Sequence, residues 1–214
     1  MPLTLKVDKD PSQSEVVIRE AAELILNGSV VAFPTETFYG LAALATHREA
    51  VEKVYLLKKR PVHKSLSVLI ADLEDLHDLV EAIPIEAKQL AVRFWPGPLT
   101  LVFTAAKRLP TNLTAGTGKI GVRISSHKVA QSLVRAVGKP ITATSANRSG
   151  AGNCRSTSEV LAQLGSDLDA IVDGGLTPGG KVSTIADVTS RPPKILRIGA
   201  IAAQEVLSCW EESV

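Results

Sequence analysis

The tightest constraint in this chain is the alternation of two periodicities along it. Short apolar runs stand at residues 29–33, 66–70, 99–103, 119–124 and 170–173, and stretches of helical spacing lie between most of them. Residues 13–27 gather Val16, Val17, Ile18, Ala21, Ala22, Leu24, Ile25 and Leu26 into an apolar face, with Gly28 as a C-cap. Residues 48–59 set Val51, Val54, Tyr55 and Leu56 among charges at helical spacing. Residues 72–80 and 85–94 read as helices broken at Pro84, and 127–137 as another. Residues 156–164 form one more, capped by Ser156 or Thr157. Residues 140–144 are short and β-prone, 182–188 and 194–198 read as late strands, and Leu207 sits in a last short helix. Elements that alternate in this way pack as an α/β fold. The chain has 214 residues and shows no repeat or linker, so a single domain over 1–214 is expected.

Composition removes several function classes. Aromatics make up 4% of the chain, so the core must be built from Val, Leu, Ile and Ala. A net charge of +2 does not announce a nucleic-acid binder, although a local basic cleft remains compatible with it. The two cysteines, Cys154 and Cys209, lie far apart outside any CxxC, which argues against a disulfide framework and a structural zinc site. His47, His63, His77 and His127 show no metal-ligand spacing, and only His63 has suggestive neighbours. The N-terminus lacks a signal-peptide core, and no apolar run is long enough to span a membrane. A soluble, cytoplasmic protein with no membrane partner is expected.

One familiar motif fails on context. Gly175-x4-Gly180-Lys181 matches most of a phosphate-binding P-loop. That loop needs Ser or Thr after the lysine and a helix whose amides face the phosphate. Here Val182 follows, and VSTIADV reads as a strand. No GxGxxG after a strand, GxSxG elbow or HExxH occurs either.

Other stretches accumulate. FPTETFYGL at 33–41 ends an apolar run in hydroxyls and one acid. Lys58, Lys59, Arg60, His63 and Lys64 cluster around Pro61, between a helix and a strand. Such a loop suits an anion, arginine gripping by its planar fork and lysine as a point charge. TATSANRSG at 142–150 is a second strand end rich in small polar side chains. Ligands of α/β sheets bind beyond the carboxyl ends of strands. Arg123 is a lone charge in the apolar strand IGVRI and needs a partner there. Ser183, Thr184 and Arg197 add hydroxyls and a guanidinium on the late strands.

Taken together these stretches resemble the YrdC-like family of threonylcarbamoyl-AMP synthases. PTETFYGL is similar to the family's PT(D/E)T-x-YGL signature, and LKKRP-x-x-K to its KxR loop. FWPGPLTLV, GVRI-x-x-H, TSANRSG, GKVSTIAD and ILRIGAI follow in the family's order, over about residues 15 to 202. The resemblance implies a single α/β domain with a twisted mixed sheet around a concave basic cleft. It implies a nucleotidyltransferase that turns L-threonine, bicarbonate and ATP into threonylcarbamoyl-adenylate and pyrophosphate. A transferase complex downstream would then modify an adenosine of tRNA.

The resemblance also implies site residues. Thr35, Arg123 and Ser183 would hold threonine, the arginine taking its carboxylate. Lys58 and Arg60 would hold the phosphates and act in catalysis, with Lys64 nearby. Ser145 and Asn147 would touch the nucleotide, flanked by Arg155 and Arg197. Glu36 would orient a neighbouring cation, and Tyr39 and Gly40 would shape a turn. Mg2+ would arrive with ATP and bridge its phosphates without dedicated protein ligands. Two departures stand out. Ser65 replaces a frequent proline, and Leu69 stands where longer relatives place a histidine, which leaves one threonine-side contact without its residue. Longer relatives append a linker and a second domain, for which no room is expected here. A paralogue that binds RNA in the same cleft and a carbamoyl-transfer domain of a larger enzyme are the competing readings. The retained TSAN stretch favours synthesis over the first, and the expected single domain argues against the second.

Overall fold

The computed structural model describes residues 1–8 and 10–212. In chain order the elements are β1 (Leu3–Lys6), α1 (Pro11–Leu26), β2 (Val31–Phe33), β3 (Gly40–Ala42), α2 (Arg48–Lys58) and β4 (Ser67–Leu69). A 3-10 turn (Leu73–Asp78), α3 (Ile85–Phe94), β5 (Leu99–Thr104), β6 (Lys119–Arg123) and α4 (Lys128–Val137) follow. Then come β7 (Ile141–Thr142), β8 (Thr144–Ser145), α5 (Thr157–Leu164), β9 (Ala170–Asp173), β10 (Thr184–Asp187), β11 (Lys194–Arg197) and α6 (Ala203–Glu211).

The expected mixed sheet is divided in two. One sheet has the order β1-β9-β2-β3-β8, the other β11-β10-β5-β6-β4-β7. Both mix parallel and antiparallel pairs, for example β1 with β9 parallel and β2 with β3 antiparallel. In the larger sheet β4 runs parallel to β6, while β5 and β6 are antiparallel.

Strand alternation decides what each face carries. On β5, Leu99, Leu101 and Phe103 point into the main core; on β6, Ile120 and Val122 do the same. Helices α2, α3, α5 and α6 supply Val54, Leu90, Val160 and Val206 to that core. A second core lies between α1, α4 and the smaller sheet, with Ile18, Ile25, Phe33, Leu133 and Val172. Thr100 and Val102 of β5, with Lys119, Gly121 and Arg123 of β6, face away from the core and line a cavity. The larger sheet is therefore core on one side and cleft floor on the other.

Local signals set the helix ends. Asp10 caps α1 by accepting from the Ser12 amide at 2.9 Å, with Pro11 in the first turn. Ser156 caps α5 through the Glu159 amide at 3.3 Å. The stretch at 72–80 differs from expectation, being a 3-10 turn rather than an α-helix. There Asp75 accepts from the amides of Ala71 and Asp72 at 3.0 and 3.1 Å, which closes the chain into a tight turn. No helix among the described residues is long and apolar enough to cross a membrane.

Candidate active site

The cleft has a volume of about 490 Å3. Thr35, Arg60, Lys64, Arg123, Ser145, Ser183 and Arg197 all line it, although they come from six separate segments of the sequence. Lys58, Asn147 and Arg155 do not line it.

Arg123 ends β6 and is 7% exposed. Its contact among the described residues is an ion pair at 3.3 Å with Glu36 Oε1, an oxygen that is itself buried without a hydrogen bond. The other Glu36 oxygen accepts from Ser125 Oγ. Glu36 thus stands beside a neighbouring cation, as its position in the TETF turn led one to expect. Burial pushes the Arg123 guanidinium down in pKa, and Glu36 opposes that shift. His127 Nδ1 is also buried, with no hydrogen-bond partner among the described residues; burial lowers its pKa against the pull of Glu36.

Arg197 stands near Arg123. Its Nε and Nη2 donate to the Ser183 carbonyl at 3.0 and 2.8 Å, and Nη2 also donates to Ser183 Oγ at 2.9 Å. Burial lowers its pKa first and the charge of Arg123 second. Two guanidiniums that disfavour one another in a semi-enclosed site make an anion pocket. Ser183 Oγ and Thr100 Oγ1 lie 3.1 Å apart on the adjoining floor. Thr35 is 3% exposed, and its hydroxyl donates to the Phe38 carbonyl at 2.7 Å. It also accepts from the Thr37 and Phe38 amides at 3.2 and 3.3 Å, so it holds its own turn as well as facing the cleft.

The cationic loop forms a different wall. Arg60 donates from Nε to the Lys64 carbonyl at 2.9 Å and from Nη2 to the Ser65 carbonyl at 2.8 Å. The loop is folded around its own arginine, and Arg60 lines the cleft alongside His63 and the exposed Lys64. Burial lowers the Arg60 pKa.

Lys58 differs from expectation, because its ammonium sits behind the wall. It is 1% exposed and donates to the carbonyls of Ser145 and Asn147, the latter at 2.7 Å, and to Asn147 Oδ1 at 3.3 Å. Those acceptors engage the donors that phosphate would need. Burial, with Arg60 adding to it, brings its pKa down to about 7. Asn147 likewise faces inward, donating to the Arg148 and Ala151 carbonyls at 3.1 and 2.6 Å. Arg155 supports the glycine-rich loop, with Nε donating to Thr177 O at 3.3 Å. Gly179 lies against it at φ +71, where an added Cβ would come 2.5 Å from Arg155 Nε. That loop leads into β10 rather than a helix, as the failed P-loop match required.

Tyr39 does more than shape a turn. It is fully buried and donates from its hydroxyl to Gly175 O at 2.7 Å, which ties the glycine-rich loop to the cleft wall. Gly40 opens β3. Lys119 and Asp187 also line the cleft, joined by an ion pair of 2.7 Å. Sequence reasoning missed both; the available signal was their strand-face register with Arg123 and Ile185.

The family model Sua5/YciO/YrdC, described as "Telomere recombination", matches residues 23–199. The chain belongs to this family. A threonylcarbamoyl-AMP synthase of Pyrococcus abyssi is 40% identical over 95% of this chain and 60% of its own length. One of Vibrio vulnificus is 34% identical over 85% of this chain and 98% of its own. A solved structure of P. abyssi Sua5 complexed with L-threonine superposes with a TM-score of 0.91 at 38% identity, covering 98% of this chain and 60% of that one. The chain thus spans about three fifths of the P. abyssi relative in both comparisons. Within this fold, Arg123 and Arg60 line one and the same cleft.

Proposed function

We propose that the chain makes L-threonylcarbamoyl-adenylate and pyrophosphate from L-threonine, bicarbonate and ATP. The observation that carries this reading is Arg123. It is a guanidinium buried at the cleft wall, beside a second guanidinium, with Glu36 behind it and no hydrogen bond among the described residues. Such a group favours a carboxylate, which it can grip with two parallel hydrogen bonds. The threonine carboxylate fills that role, with Ser183 and Thr35 beside it. The names of the relatives support the same substrate.

Arg60 and Lys64 hold the phosphates from the opposite wall, and Ser145 faces the nucleotide. Lys58 acts through its neighbours: it fixes the Ser145–Asn147 segment that forms the nucleotide wall. Nucleotidyl transfer asks little covalent chemistry of the protein and depends on positioning and charge stabilisation. The arginines, lysine and hydroxyls that line the cleft suit that demand. Mg2+ would arrive with ATP and be carried by its phosphates. When bound, it would neutralise phosphate charge. The enzyme would work in the cytoplasm and pass its adenylate to a transferase that modifies tRNA.

The test is a pyrophosphate-release assay with ATP, Mg2+ and bicarbonate, with and without L-threonine, the product identified by mass. Release that requires both threonine and bicarbonate is expected. Threonine-independent release, or none, overturns the reading.

A further inference from the structure

Two buried polar atoms in the surroundings of Arg123 have no hydrogen-bond partner among the described residues. They are Glu36 Oε1 and His127 Nδ1. Buried polar groups are nearly always paired, so each exception asks for a reason. Neither residue lines the cleft, and the scheme above gives His127 no part. Both atoms belong to one cluster. Ser125 Oγ donates to the other Glu36 oxygen and accepts from the His127 amide at 3.2 Å. Gln131, one turn into α4, donates from Nε2 to the Ser125 carbonyl at 2.9 Å and fixes the segment. Burial lowers the pKa of His127 and the charge of Glu36 opposes it, which places the ring beside the carboxylate.

The ring is not spent on capping. His127 is the N-cap residue of α4, a position where a polar side chain usually accepts from the first helical amides. Here the side chain makes no such bond. A neutral imidazole carries one N–H, and Nδ1 donates when it holds that proton. An ionised carboxylate only accepts. The two unpartnered atoms are therefore complementary, yet they do not bond to one another in this structure.

Threonine changes the balance around them. Its carboxylate is gripped by Arg123, whose guanidinium meets Glu36 Oε1 at 3.3 Å through Nη1. Two carboxylates then share one guanidinium, and like charges in a buried site disfavour one another unless further donors meet them. On the cleft side Arg197 is such a donor. We propose that His127 is a positioning residue for the amino-acid site: as Arg123 turns to the threonine carboxylate, the Nδ1–H of His127 takes the Glu36 oxygen that the arginine gives up. This rests on the synthase reading and adds a residue to it. The histidine–glutamate bond forms only with threonine, so its energy counts toward binding threonine and not toward folding the free chain.

The experiment is nitrogen NMR of the full chain labelled in its histidine rings, titrated with L-threonine and separately with Mg-ATP. The His127 signals are those missing from His127→Leu. Threonine should bring Nδ1 to the chemical shift of a hydrogen-bonded N–H, and Mg-ATP alone should leave it in place. Calorimetry should show threonine binding roughly tenfold weaker in His127→Leu, as for loss of one hydrogen bond to a charged group. Mg-ATP affinity should be unchanged. The unfolding midpoint of that variant without ligand should not fall, because the substitution removes a buried nitrogen that has no hydrogen-bond partner among the described residues. A His127 ring unmoved by saturating threonine overturns the proposal and leaves the synthase reading intact. So does a variant that melts lower yet binds threonine as wild type does, which marks a residue serving the fold alone. A wild type that binds no threonine removes the synthase reading and this proposal with it.

Discussion

Lys58 illustrates how a residue can stand out in sequence while its surroundings stay hidden. The LKKRP stretch marked it as a phosphate ligand, because cations beside a proline read as a preset anion site. Sequence spacing does not reveal that α2 ends with Lys58 turned inward, under the carbonyls of Ser145 and Asn147. Its pKa yields a prediction with a definite sign. The folded value is about 7, against an ordinary value of 10.5, so between those limits the unfolded chain binds the proton that the folded chain has released. Stability therefore rises as pH increases from about 7 toward 10 through this group. A neutral amine still donates two hydrogens, so the nucleotide wall stays tied. Urea denaturation at pH 7, 8 and 9 should show the midpoint climbing in wild type relative to Lys58→Met. Parallel midpoints in the two proteins would show that Lys58 stays charged throughout. Arg60 is the complementary case, a residue that lines the cleft. Arg60→Ala should cut adenylate synthesis by one to two orders of magnitude, as expected for loss of a charge-assisted contact of about 1.5–3 kcal/mol. Full activity in that variant would remove the arginine from phosphate binding.

At the scale of elements, most of the fold was legible because the apolar periods are strong. The helix at residues 85–94 coincides with α3, and the Ser156 cap is where the hydroxyl pattern put it. The strands at 170–173 and 99–103 match β9 and β5 to within a residue. Two strands escaped notice. β1 is an outer strand that buries Leu5 while its neighbours stay exposed, so it offers no apolar run. β3 follows directly on a turn-forming stretch and exists because β2 and β8 pair with it on either side. The cleft floor was legible only in part. Arg123 stood out as a charge inside an apolar run, whereas Lys119 and Asp187 sit at strand ends, where charges are ordinary. Gly121 lies between Lys119 and Arg123 on β6. An added Cβ would come 2.9 Å from Ser67 Oγ and 3.1 Å from Thr100 Cγ2. Gly121→Val should therefore fill the floor and press on its neighbours, costing about 1–3 kcal/mol of stability. It should also raise KM for both ATP and threonine at least tenfold. Steady-state kinetics on a sample checked for its melting temperature would decide this. Leu133→Ala, in the core between α1 and α4, should instead cost about 2–5 kcal/mol and leave KM unchanged.

On the scale of the whole molecule, the cleft gathers residues distant in sequence, and ligand binding should be felt as stability of the entire fold. Turn, β4 approach, β6, the Ser145 segment, β10 and β11 each contribute wall residues. A ligand that bridges them binds the folded chain and not the unfolded one. At one hundred times its dissociation constant such a ligand adds about 2.7 kcal/mol. L-threonine at that level should raise the denaturation midpoint of wild type accordingly. Arg123→Lys preserves the charge beside Glu36, so the variant should fold, but it lacks the planar fork that takes a carboxylate by two bonds. If its affinity falls roughly 30- to 100-fold, the same threonine concentration stabilises it by less than about 1 kcal/mol. ATP should still stabilise the variant as it does wild type, because the phosphate wall is carried by other segments. Denaturant melts with each ligand alone, and with both, measure this directly. If threonine stabilises wild type and Arg123→Lys equally, the amino-acid carboxylate lies elsewhere in the cleft.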